Sequence, residues 1–405
     1  MTRKTVENAS PPMLTPPRVG LFLPSIEMGG TANSVTILAK GLTELGYRCT
    51  LVATSCLPGT AFDRVSETMS EHSIPVIAPA RGRRWMRDRF RITFEVACTF
   101  DLTINNHSEE LRHLSPLLSG SVPQISIIRG VSPTNIRGAM CSSLHLEALV
   151  AISPVVYSKL VEEAQCNIEL IPNSVTVPHG PLPALALPIR LAYVGRLSQE
   201  EKNSLILPDI VAELKRSGIV HELLIIGDGP TRSELELRFN AMGAGDSVRI
   251  VGALSPHSAA NLMRTCQFVI VPSNHEGFGL VVAEAMACGA LPIVSPLEVF
   301  TWILGDTATF LQTRTNTPDE YAKIILKLAA APEVFLGLQQ SNLARQNSLF
   351  SPDRMIEAYN RLITGILASR SRSGPLPKWQ LPRQLPWRIR LRCSHAYRFL
   401  QCLRR

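Results

Sequence analysis

Residues 18–53, RVGLFLPSIEMGGTANSVTILAKGLTELGYRCTLVA, decide the fold. Residues 18–24 are a short apolar run with β-branched and aromatic side chains, the composition of a strand buried on both faces of a parallel sheet. The glycine-containing turn EMGGT follows, and Val35, Leu38, Leu42 and Leu45 then recur at the spacing of one helical face, with Gly46 placed to close the helix. Residues 48–54 read as a second strand. Strand, glycine turn, helix, strand is a βαβ unit, so the fold class is α/β with a parallel sheet.

The alternation continues less regularly through residues 101–106, 124–130 and 149–153 to about residue 172. Residues 172–188, PNSVTVPHGPLPALALP, hold five prolines and a glycine, which suits a linker better than a core element. Beyond it, strand candidates at 189–195, 222–229, 248–252, 268–273 and 291–296 alternate with helical patterns near 203–217, 231–242, 256–266 and 280–288. Ser153-Pro154 and Ser255-Pro256 spell an N-cap followed by proline at the first helical position, and Thr317-Pro318-Asp319-Glu320 spells a capping box. Helical patterns run on to about residue 369. The expected organisation is a polar start (1–17), a Rossmann-like domain (18–172), a linker (173–188), a second Rossmann-like domain (189–350), a closing helix (351–369) and a tail (370–405).

At 405 residues the chain is too long for one ordinary core, and 45% apolar with 18% charged residues excludes a disordered or collagen-like polymer. No apolar run reaches the roughly 18–20 residues that span a bilayer. The polar, proline-rich start lacks the apolar centre of a secretory signal. Nine cysteines form no CxxC pair and no zinc-like grouping with the nine histidines, so a reducing cytoplasmic location is expected. The net charge of +8 sits in the tail: residues 370–405 carry ten Lys/Arg and no acid, leaving 31 basic and 33 acidic residues before them, a net of −2.

Ligands of open parallel sheets bind outside the carboxyl ends of the strands, so two such domains are expected to enclose a cleft there. Three segments of the second domain fall at strand ends: Gly195-Arg196-Leu197, Gly227-Asp228-Gly229 and SNHEGFGLVVAEAMACG at 273–289. In the last, Glu276 lies in a glycine-interrupted loop and Glu284 eight residues on, inside the helical pattern. Backbone N–H groups at a helix start suit an anion, and carboxylates accept hydrogen bonds from hydroxyls. The combination points to a ligand with both phosphate and sugar.

From residue 18 to about 365 the chain resembles the retaining family-4 glycosyltransferases of the GT-B fold, the group 1 glycosyltransferases. EGFGLVVAEAMACGALPIVSP resembles that family's Glu-x7-Glu signature, GRLSQEEK its diphosphate-binding Arg and Lys segment, and LIPNSV its interdomain Pro-Asn turn. The resemblance implies a nucleotide-sugar donor with Glu276 on hydroxyls of the sugar, beside the Gly277, Phe278, Gly279 and Leu280 backbone, and Glu284 on the ribose. It places Arg196 and Lys202, with Gly195, Gly29 and Gly30, at the diphosphate. It also implies retention of anomeric configuration with the leaving phosphate oxygen taking the acceptor proton, and no Asp-x-Asp for a metal occurs in the chain.

The chain departs from the family at four places: Arg129 where a histidine is frequent, Asn203 and Ser174 where glycine is common, and Pro296-Leu297-Glu298 for Gly-Gly-x-x-Glu. Arg129 is permanently charged and suits a phosphate or an acidic sugar; with the strand-end His107 it is a candidate for the acceptor or sugar pocket. Residues 81–91, RGRRWMRDRFR, and the tail mix arginines with aromatics, as a segment lying on an anionic membrane does. The expected partners are a nucleotide sugar, a glycan or lipid-linked acceptor and a membrane surface; the tail matches no nucleic-acid-binding module. An epimerase of related architecture would need its own acid/base pair. A silent glycan-assembly scaffold would have no use for Arg196, Lys202, Glu276 and Glu284 together.

Overall fold

The computed structural model describes residues 15–25, 30–54, 66–67, 69–78, 86–177 and 179–369. Gly29, residues 81–85 and the tail 370–405 lie outside them, as do the side chains of Met86 and Arg87. In chain order the elements are β1 (Arg18–Leu23), α1 (Gly30–Glu44), β2 (Arg48–Ala53), β3 (Val76–Ile77), α2 (Met86–Ala97), β4 (Leu102–Asn105), α3 (Glu109–Leu118), β5 (Gln124–Ile128), α4 (Pro133–Ser143), β6 (Ala148–Ala151), α5 (Pro154–Val161) and β7 (Asn167–Leu170). There follow β8 (Ile189–Val194), α6 (Leu207–Arg216), β9 (His221–Ile226), α7 (Arg232–Ala241), β10 (Val248–Gly252), α8 (Pro256–Met263), β11 (Phe268–Val271), α9 (Leu280–Cys288) and β12 (Leu291–Val294). Helices α10 (Glu298–Leu304), α11 (Ala308–Leu311), α12 (Pro318–Ala329), α13 (Pro332–Leu349) and α14 (Pro352–Ser369) follow, to the last of the described residues. These are two parallel-sheet, Rossmann-like α/β domains.

By packing, the described residues fall into two compact units: one holds β1–β4 with α2, α3 and the end of α1, the other the start of α1 and everything from residue 125 to 369. In the first unit the strand order is β3-β2-β1-β4. All of its pairs are parallel. Its core joins Phe22, Val52, Phe90, Phe94, Phe100, Leu111 and Leu114. The apolar face expected of α1 is seen at Val35, Leu38 and Leu42, all buried, whereas Leu45 lies past the helix end and is 52% exposed.

A polar network sits at the strand ends of this unit. The buried Glu110 accepts from Thr54 Oγ1 at 2.9 Å and from the Arg89 guanidinium, while Asn105 Oδ1 accepts from the Ser108 amide at 2.8 Å. This corrects part of the membrane reading of residues 81–91. Phe90 is 4% exposed within the core, Arg89 is committed to Glu110, and Arg91 pairs with Glu95 at 2.9 Å.

In the second unit β5, β6 and β7 run parallel in that order, and a separate parallel sheet has the order β10-β9-β8-β11-β12. The order turns back between β8 and β11, the switch point at which such sheets open a crevice. Every strand expected beyond residue 188 is present. The edge strand β7 was not legible, because none of its four residues is buried and no apolar run marks it, and β3 has just two residues.

Ser153 and Ser255 cap their helices as expected, accepting from Val156 N at 3.3 Å and Ser258 N at 3.1 Å. The capping box is not made: Thr317 gives no side-chain cap to α12, and the Glu320 carboxylate turns outward to accept from Arg314 N (2.6 Å) and Thr315 N (2.7 Å). Between Leu170 and Ile189 the described residues form no helix or strand. This proline-rich stretch packs within the second unit instead of standing free. Arg264 Nη1, Gln339 Nε2 and Gln267 Nε2 donate to the carbonyls of Gly180, Pro183 and Ala184 at 3.0, 3.0 and 2.7 Å.

Behind the loop after β11, Phe278, Trp302 and Phe350 meet edge to face with centroids 5.5–5.9 Å apart. Such pairs add to the burial of large side chains. Phe350→Ala removes a fully buried ring common to two of these contacts and is expected to cost about 3–5 kcal/mol. Denaturant unfolding of the variant would show this as a lowered midpoint; a wild-type midpoint would contradict it.

Candidate functional site

The loops at the switch point follow β8 (residues 195–203) and β11 (residues 272–279). They are tied together along their backbones. Asn274 N donates to Glu201 O at 2.8 Å, and Asn274 Nδ2 lies 3.3 and 3.2 Å from the carbonyls of Gln199 and Glu200. Asn274 is itself held by Asn316 Nδ2 at 3.3 Å, and Asn316 by the Tyr321 hydroxyl at 2.7 Å. Tyr321 is fully buried, so this chain of polar groups runs from the core to the loop.

On that frame Lys202 Nζ forms an ion pair with Glu276 Oε1, and Ser273 Oγ donates to the same oxygen at 3.2 Å. Lys202 and Glu276 were expected to face ligand groups separately; here each is the other's partner. Arg196 differs. Its side chain is exposed and has no partner among the described residues, while its carbonyl accepts from the buried Tyr193 hydroxyl at 2.8 Å. Burial, then the nearby Glu276 charge, raises the Tyr193 pKa, so the phenol stays protonated and keeps donating. Gly195, just before it, bonds through its N–H to Ile226 O at 3.0 Å, and Leu197 N reaches Asp228 O at 2.9 Å, joining the β8 and β9 turns.

Asn203, which stands where the resembled family has glycine, has φ 49° and ψ 40°. Asparagine is among the few residues that adopt this left-handed conformation readily. The departure therefore preserves the turn, and Gln199 Nε2 donates to Asn203 Oδ1 at 2.8 Å.

Gly277 and Gly279 are required by their surroundings. A Cβ at Gly277 would stand 2.1 Å from the carbonyl oxygen of Arg129, and one at Gly279 (φ +92°) would stand 2.6 Å from the Phe300 ring. Ser153 Oγ donates to Gly277 O at 2.7 Å. Phe278 is 3% exposed and contributes only its backbone to the loop's outer side. The backbone N–H groups of Phe278, Gly279 and Leu280, at the start of α9, have no acceptor among the described residues. Gly30, the first residue of α1, approaches Leu280: a Cβ there would lie 2.5 Å from Leu280 Cδ1.

Arg129 Nη1 donates to Asn173 Oδ1 of the Pro-Asn turn at 2.8 Å, and burial lowers its guanidinium to about 10 against the opposing influence of Tyr359. Ser174 is buried, with Met355 Sδ 3.5 Å from its hydroxyl. Glu298 opens α10 and is exposed. His107 lies in the first unit between β4 and α3 with φ +67°, next to the Ser108 cap. Gly29 lies outside the described residues. Among the described residues no three His, Cys, Asp or Glu side chains come together as metal ligands, and no helix is long and apolar enough to cross a membrane.

Residues 187–340 match the family described as Glycosyl transferases group 1. A GDP-mannose-dependent alpha-(1-6)-phosphatidylinositol dimannoside mannosyltransferase of Mycobacterium tuberculosis is 32% identical over 146 residues, 36% of either chain. An alpha-D-kanosaminyltransferase of Streptomyces kanamyceticus is 28% identical over 142 residues, 35% of this chain and 36% of the relative. The chain thus spans about a third of the length of these curated relatives. Among solved structures, Anabaena HepE in complex with UDP-glucose superposes with a TM-score of 0.73 at 17% identity, covering 86% of this chain and all of that one. Sucrose-phosphate synthase of Thermosynechococcus elongatus gives 0.71 at 18% identity over 87% and 100%. At these identities the likeness is one of fold.

Glu284, one turn into α9, is half-buried and its carboxylate has no partner among the described residues. Burial alone raises it to about 7. A carboxyl raised in the folded state favours folding below its unfolded value, and that contribution is lost as pH rises through 7. The ligand-free wild type should therefore lose stability relative to Glu284→Gln between pH 5 and 8. Denaturation curves that stay parallel over this range would contradict the assignment.

Proposed function

We propose, from the match of residues 187–340 to the Glycosyl transferases group 1 family, that the chain transfers a sugar from a nucleoside-diphosphate donor to a glycan or lipid-linked acceptor, with anomeric configuration retained. The observation that carries this reading is that the loops at the β8/β11 switch point hold the Lys202–Glu276 pair together with Arg196 and three backbone N–H groups that have no partner among the described residues.

Breaking the bond between the sugar's anomeric carbon and the phosphate oxygen loads negative charge on the diphosphate. Arg196, Lys202 and the amides of residues 278–280 supply fixed positive charge and donors for it, which is most effective where no reorganisation is needed. Glu276, oriented by Ser273 and Lys202, accepts from hydroxyls of the donor sugar. When a diphosphate oxygen takes a share of Lys202, the Glu276 carboxylate gains capacity for those hydroxyls. Glu284 accepts from the ribose. Hydroxyl donors favour its ionised form, so donor binding releases a proton near neutral pH and strengthens as pH rises through 7.

On this reading the charge is met without a divalent ion. The resemblance supplies the proton route, from acceptor hydroxyl to leaving phosphate oxygen, and Glu276 acts by position and charge. A role in cell-surface polysaccharide or lipopolysaccharide synthesis, on the cytoplasmic face of the membrane, fits the basic composition of residues 370–405.

Incubation with a panel of nucleotide sugars, in chelator and with membrane extract as acceptor, should release free nucleoside diphosphate. Arg196→Ala should lower the rate by about a hundredfold, the effect of about 2–4 kcal/mol at the barrier. No release from any donor, or wild-type rates in the variant, would overturn the proposal.

A further inference from the structure

We infer that Ser153 is a positioning residue for the donor loop, an inference that rests on reading residues 273–284 as the donor site. Ser153 is fully buried in the turn from β6 to α5. Its hydroxyl oxygen accepts from Val156 N at 3.3 Å, and its proton goes to Gly277 O at 2.7 Å, a residue 124 positions away.

The second of these bonds sets a peptide plane. In a trans peptide the carbonyl and the following N–H point in opposite directions. Drawing the Gly277 carbonyl toward Ser153 therefore turns the Phe278 N–H away from it. That amide and the next two, of Gly279 and Leu280, have no acceptor among the described residues and open α9. The plane is held from both ends: the Arg129 carbonyl leaves no room for a side chain at Gly277, and the Phe278 ring is locked between Trp302 and Phe350. Without the Ser153 proton the Gly277 carbonyl loses its one hydroxyl partner and the glycine is free to rotate the plane, taking the first of the three donors off the diphosphate.

Capping α5 and holding Gly277 are separable. The cap uses the oxygen as acceptor, and glycine substitutes for serine at an N-cap at a cost of only a few tenths of a kcal/mol. Ser153→Gly therefore keeps the helix start and deletes the proton given to Gly277; Ser153→Thr keeps both; Ser153→Ala loses both.

The test compares these three full-length variants with wild type in steady-state kinetics on UDP-glucose and GDP-mannose, in denaturant unfolding, and in hydrogen exchange over residues 273–280. Ser153→Gly and Ser153→Ala should each lose about tenfold in kcat/KM, the worth of one positioning hydrogen bond. Ser153→Thr should restore it to within about twofold. The glycine variant should lose less stability than Ser153→Ala, the bond to Gly277 being gone from both, while exchange at Asn274 and His275 quickens. Wild-type kcat/KM and exchange in Ser153→Gly would overturn the inference. Should wild type turn over neither nucleotide sugar, it is the donor reading that fails on these probes, and the exchange measurement decides the positioning claim: quickened exchange supports it and unchanged exchange ends it.

Discussion

The ion pair between Lys202 and Glu276 joins the two loops that open at the turning point of the second sheet, and the other features of the site are arranged around it. A lysine and a glutamate on separate loops hold each other only if both loops are fixed. Asn274 fixes them through the carbonyls of residues 199–201, and Asn316 and Tyr321 extend that hold into the core. The pair is partly exposed, at 26% and 13% for its two side chains, so its contribution to stability is modest. On the proposed donor reading, its value lies in keeping a cation and a hydroxyl acceptor within reach of one ligand.

The loop is held just as firmly on its other side. Gly277 lies against the Arg129 carbonyl and the Ser153 hydroxyl, and Phe278 is a core residue that sits inside the loop after β11. Buried aromatic contacts behind the loop, and amides in front of it with no acceptor among the described residues, are two faces of the same short segment. On the proposed reading, such preorganisation spends folding energy to remove reorganisation at the moment of reaction.

Much of this was legible in the residues themselves. The strands beyond residue 188 announce themselves as short β-branched runs ended by glycine or proline, and α9 matches its expected span, 280–288. The first unit was harder to read: α2 lies in an arginine-rich stretch whose Phe90 is apolar for the sake of the core and whose Arg89 serves Glu110. The family resemblance singled out Glu276 and Lys202 one at a time; that they are each other's partner was not legible, since they are 74 residues apart. Ser153 was visible only as a helix cap, because the acceptor of its proton is a backbone carbonyl with no signature of its own. Asn203 looked like a departure until its left-handed backbone showed why asparagine serves there as glycine would.

The central claim is that Lys202 and Glu276 act as one unit on the donor. A double-mutant cycle with Lys202→Met and Glu276→Gln, read on kcat/KM for the nucleotide sugar that wild type uses best, tests it most directly. The account predicts strong non-additivity, with the double variant about as impaired as the worse single one and a coupling of about 1–3 kcal/mol. Effects that simply add would mean the two side chains work independently, and the account would be wrong.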